Sequence, residues 1–89
     1  MISKETIKKQ IREEFLKICP SRLKNIGNDI LTMERLDYIR EVNLQTCLKI
    51  LTNNDNYSSN EFEILMYELI NKTKKQYAEL LRVSTVEFI

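Results

Sequence analysis

One glycine, Gly27, and one proline, Pro20, are all the conventional chain punctuation in 89 residues. Turns that need a positive φ fall to glycine, and breaks in helices fall to proline, so a chain with one of each has few places to reverse abruptly. Long helices joined by short polar connections satisfy that constraint; a many-stranded sheet with its frequent tight turns does not. Apolar residues recurring at spacings of three and four support the same reading, and the expected fold class is all-α. We expect a small three- to four-helix antiparallel bundle in one domain, residues 1–89, with a short extended C-terminal tail.

Four segments follow from the periodicity. Ser3 is placed to cap a first helix, about 3–18, in which Ile7, Ile11, Phe15 and Ile18 form a narrow apolar stripe. Pro20 stops it, since proline disfavours helix in the residue before it. A weak helical register through Leu23 and Ile26 predicts a short helix at 21–27, ended by Gly27. The longest run spans 32–51, with Asp29 as an alternative start. Its apolar residues, Val42 among them, spread around about two-thirds of the circumference, which predicts a central helix with neighbours on more than one side. After a polar loop, Ser58-Ser59-Asn60-Glu61 reads as a capping box. The last helix follows at 59–82, its stripe from Phe62 to Leu81 interrupted by Thr73 and Gln76. Residues 83–89 change to β-branched and aromatic composition and read as an extended tail or a strand paired with another chain.

Composition narrows function mainly by exclusion. The chain has no histidine, so Ser-His and Cys-His catalysis cannot occur within it, and two cysteines are too few for a structural zinc site in one chain. A sole glycine rules out Gly-rich phosphate loops. No cofactor, metal or catalytic residue is expected, and the chain reads as a non-enzyme. The charged start lacks the apolar run of a signal peptide, and no stretch suits a membrane span. These features imply a cytoplasmic protein, or a nuclear one in a eukaryote, with Cys19 and Cys47 as thiols rather than a disulfide.

Several residues invite a binding role. Glu5, Lys9, Glu13 and Lys17 form an alternating i,i+4 ladder, which leaves Lys4, Lys8 and Arg12 on a neighbouring row without an acidic i+4 partner. Residues 1–24 carry seven basic and three acidic groups, against a net charge of +1 for the whole chain. The row is either a solvated face or a docking strip for phosphates or an acidic protein. Arg40 and Asn43 project onto the apolar side of the central helix and must snorkel, be paired, or contact a partner. Ile64 and Tyr67 lie opposite the stripe of the last helix, where the tail's Val83, Val86, Phe88 and Ile89 could cover them or a partner could. The candidate contact set is therefore Lys4, Lys8, Arg12, Arg40, Asn43, Ile64, Tyr67 and Phe88.

Thr32-Met33-Glu34-Arg35-Leu36-Asp37-Tyr38-Ile39, followed by Tyr57–Glu61 and then Leu69, Asn71, Thr73, Leu80 and Leu81, resembles the helical, HRDC-like stalk subunit of archaeal and eukaryotic RNA polymerases. The resemblance covers residues 32–81 and implies an accessory subunit of a transcription complex. It departs from that family in lacking the proline-containing turn between the last helices and a recognisable N-terminal segment for the partner subunit. The residues themselves favour a protein-protein interaction module, such as a small inhibitor, an immunity protein or a phage-type regulator. A homodimer is a further option. A nucleic-acid-binding regulator using the basic first helix is the different-class alternative, disfavoured by the near-neutral net charge.

Overall fold

In a computed structural model, which describes residues 3–24, 26–27 and 29–89, the chain forms three α-helices and one 3₁₀ turn. Helix α1 is Lys4–Leu16, the 3₁₀ turn Pro20–Arg22, α2 Ile30–Asn53 and α3 Ser59–Leu81. Each helix starts where local chemistry allows it to. The side chains of Ser3, Asp29 and Ser58 accept from the backbone amides of Thr6, Thr32 and Glu61, supplying partners that the first turn of a helix lacks. The Asp29 cap sets the start of α2 two residues ahead of Thr32. Helix α1 closes before proline is reached: Cys19 is already extended at φ −98°, ψ 113°, the conformation expected of a pre-proline residue.

The short helix expected at 21–27 is corrected to the single 3₁₀ turn at Pro20–Arg22; residues 25 and 28 lie outside the described ones. The chain leaves the helical path at Leu23 because that residue pairs with the C-terminal tail. Leu23 and Phe88 form an antiparallel bridge, flanked by Lys24 N–H donating to the Glu87 carbonyl (3.0 Å) and Ile89 N–H donating to the Arg22 carbonyl (2.6 Å). The tail's backbone thus pairs within its own chain. Its approach is set by Arg82, in the left-handed region at φ 57°, which ends α3 while Val83 N–H bonds back to the Ala78 carbonyl.

The core is built from one face of each helix. Ile11, Phe15 and Ile18 close against Leu36, Leu44, Cys47, Leu48 and Leu51 of α2, and against Phe62, Met66, Leu69, Ile70 and Tyr77 of α3. Helix α2 touches α1, α3 and the 3₁₀ turn, as a central helix must. Lys4 pairs with Asp55 beyond the C-terminal end of α2, while the Arg40 guanidinium reaches the Ile18 carbonyl at 2.8 Å, so α1 runs antiparallel to α2 and ends level with its middle. With 13 residues, α1 is about 20 Å long against about 36 Å for the 24-residue α2. The N-terminal part of α2 therefore extends beyond α1.

Asn43 is the one buried side-chain amide among the described residues, and it explains the polar break in α3. Its Nδ2 donates to Thr73 Oγ1 at 2.8 Å and to Gln76 Oε1 at 2.9 Å, and Thr73 Oγ1 in turn donates to the Leu69 carbonyl at 2.7 Å. Among the described residues no buried side-chain nitrogen or oxygen lacks a partner. Removing one member takes one hydrogen bond from the other, which keeps its second partner, Gln76 for Asn43 and the Leu69 carbonyl for Thr73. Thr73→Val and Asn43→Leu should each cost about 0.5–1.5 kcal/mol. The double variant should cost less than their sum by at least about 0.5 kcal/mol. Urea unfolding of the four proteins measures this, and strict additivity would count against a coupled network.

Candidate partner-binding face

The side of α2 turned away from the core carries apolar residues that the described residues leave exposed. Leu31 and Tyr38 are each 71 % exposed, and Val42 and Ile30 are exposed beside them. Leu31, Tyr38 and Val42, seven and four residues apart, lie on one stripe opposite the core-facing Leu36, Asn43 and Cys47. Leu80 of α3, also exposed, joins them across a shallow groove shared with the half-buried Ile39 and rimmed by Glu34 and Arg35. Scattered exposed apolar side chains are ordinary, but a contiguous set with charges at its edge has the composition of a contact surface. The sequence places Val42 and Leu80 on buried stripes. That is corrected: Val42 shares the direction of Leu31 and Tyr38, on the side of α2 turned away from the core, and is 43 % exposed.

The residues singled out from sequence do not form one site. Asn43 is 4 % exposed and bonded within the core, so it is corrected from a partner contact to an internal one. Arg40 is paired: its guanidinium lies 3.2 Å from Asp37 and donates to the Ile18 carbonyl, a backbone acceptor left open at the end of α1. Lys4 pairs with Asp55, and Lys8 lies 3.4 Å from Glu5, so the row of unpartnered cations is corrected to Arg12 alone on α1. The expected i,i+4 ladder is replaced by i,i+3 pairs, Glu5 with Lys8 and Glu14 with Lys17. The tail, drawn to Leu23, leaves Ile64 60 % and Tyr67 47 % exposed, so it does not bury that pair. Phe88 is half-buried and lines a small cleft with Ile18, Tyr67 and Ile70.

Neither cysteine is in a disulfide. Burial raises the Cys47 thiol to about 11, keeping it protonated at neutral pH, while Cys19 is lowered chiefly by its hydrogen bond with Ser21, with Arg40 and Arg22 adding to the effect. No cluster of acidic, cysteine or histidine side chains suited to a metal ion occurs among the described residues. Nor is any described helix long and apolar enough to cross a membrane. Compared with known proteins, the chain matches no protein-family model, no curated protein and no solved structure.

Proposed function

We propose that this chain is a non-enzymatic protein-binding module that holds its partner on the outer face of α2, with Leu31, Tyr38 and Val42 as apolar anchors and Leu80 closing the groove. The observation supporting this is the uncovered stripe itself, on a rigid and well-capped helix of a chain small enough to need most of its apolar surface for its core. Small inhibitors, immunity proteins and phage-type regulators act through such a face, and tyrosine set among aliphatic residues is a common anchor. An accessory subunit of a transcription complex is the second reading, favoured by one observation: Glu34, Arg35, Tyr38 and Ile39, from the segment that carries the stalk-subunit resemblance, line this groove.

Leu31→Glu combined with Tyr38→Glu tests the proposal. Both positions are exposed, so thermal unfolding should stay within a few degrees of the wild type. A partner recovered with the wild-type chain from its source cells should bind the variant roughly 30-fold or more weakly, the loss expected for anchors worth about 2 kcal/mol. Retention unchanged in the variant, but lost in Ile64→Glu/Tyr67→Glu, would move the binding face to α3.

A further inference from the structure

The antiparallel packing of α1 on α2 brings together charges that sequence alone keeps apart. Lys8 and Arg12 of α1 stand beside Lys49 in the last third of α2, around an open cleft of about 410 Å³ floored by Leu48. Gln45, Thr52 and Asn53 complete its walls. Acidic groups bonded beside it are Glu5, 3.4 Å from Lys8, and Glu41, which accepts from Gln45 at 2.9 Å, while Asp55, two residues past Asn53, pairs with Lys4. Arg12 and Lys49 form no ion pair among the described residues.

This arrangement contributes little to the fold. Lys8 and Arg12 are four residues apart, a like-charge spacing that weakens a helix by a few tenths of a kcal/mol. Lys8 sits toward the N-terminal half of α1, the end where the helix dipole disfavours cations. Lys49 adds a third positive charge from another element. A multiply charged anion would relieve the repulsion, and guanidinium, ammonium and amide donors around one concavity are the groups that oxyanions bind through charge-assisted hydrogen bonds.

We propose that this cleft between α1 and α2 binds a compact phosphate-bearing polyanion, with Arg12 and Lys49 as its principal ligands and Lys8 as the third cation. The size of the cleft is within the range of small-ligand sites. A nucleic-acid strand fits less well, because the cationic cluster spans little more than one helical turn of α1 and the chain as a whole carries only +1. The site is separate from the apolar stripe and does not depend on it.

The test is a titration of the intact protein with inorganic tripolyphosphate at about 150 mM salt, where diffuse surface attraction is largely screened. Amide NMR shifts should be confined to residues 5–13 and 45–53, with a Kd of about a millimolar or tighter. Arg12→Gln with Lys49→Gln should weaken binding roughly tenfold or more, whereas Lys72→Gln with Lys75→Gln, at exposed positions on α3, should leave it unchanged. A parallel arm uses phosphatidylcholine vesicles with and without phosphatidylinositol bisphosphate. Capture by the phosphorylated vesicles alone, lost in the Arg12/Lys49 variant, assigns the phosphate to a lipid headgroup; binding of tripolyphosphate assigns it to a soluble ligand. Absence of both, equal affinity in the cleft variant, or shifts spread over the α3 lysines would overturn the proposal.

Discussion

Tyr77→Ala should remove a large share of the protein's stability. Tyr77 is fully buried on α3, and its hydroxyl donates to the Leu36 carbonyl of α2 at 2.8 Å. It occupies the part of the core beyond the end of α1, where a long side chain is needed to span from one helix to the other. Truncation removes the ring and leaves a cavity that α1 cannot collapse to fill, for a cost of about 3–5 kcal/mol. A domain of this length has only about 4–13 kcal/mol in total, and each kilocalorie lost lowers the melting temperature by about 4–8 °C. A fall of roughly 15–30 °C is therefore expected, read by circular dichroism or calorimetry. Tyr77→Phe keeps the ring and loses only the hydrogen bond, so it should cost about 1 kcal/mol. If Tyr77→Ala came within that smaller loss, the ring would not be the element joining α2 to α3.

The features legible in the sequence were those decided by neighbours along the chain. Ser3 and Ser58 announce their helices because a cap is a contact across three residues, and Pro20 acts on Cys19 directly. The stripe of Ile11, Phe15 and Ile18 is buried because one narrow apolar face leaves no other choice. Long-range features resisted the same reading. Helix α2 is apolar around much of its circumference, and which part is exposed depends on which faces α1 and α3 pack against, a fact recorded in other segments. Thr73 and Gln76 look like defects in an amphipathic helix until Asn43 is placed opposite them. Phe88 and Leu23 are 65 positions apart, and nothing local marks them as a pair. The candidate contact set suffered for the same reason: charge and hydropathy identified residues needing an explanation, but internal partners supplied that explanation for Lys4, Arg40 and Asn43.

Alkaline conditions should destabilise the protein through two buried acids on facing helices. Burial raises the Cys47 thiol from 9.0 to about 11 and pushes the Tyr77 hydroxyl above its ordinary 10.0. Between these values the unfolded chain releases a proton that the folded chain retains, and stability falls wherever the unfolded state binds fewer protons. The contribution of Cys47 is thus fully present below pH about 9 and is lost as pH rises through about 11, by on the order of 2–3 kcal/mol. Tyr77 extends the loss above pH about 10. Cys19, lowered in the folded state, acts in the opposite sense, so the decline must be assigned by substitution. Cys47→Ala removes only the sulfur from this fully buried site and should cost about 1–3 kcal/mol at neutral pH. It removes the titrating thiol, so its urea midpoint should fall less between pH about 9 and 11 than that of the wild type. The two curves should therefore converge or cross as pH rises, under reducing conditions throughout. Parallel curves would mean that the Cys47 thiol is not held protonated by the core, and that water reaches the α1–α2–α3 junction in the folded state.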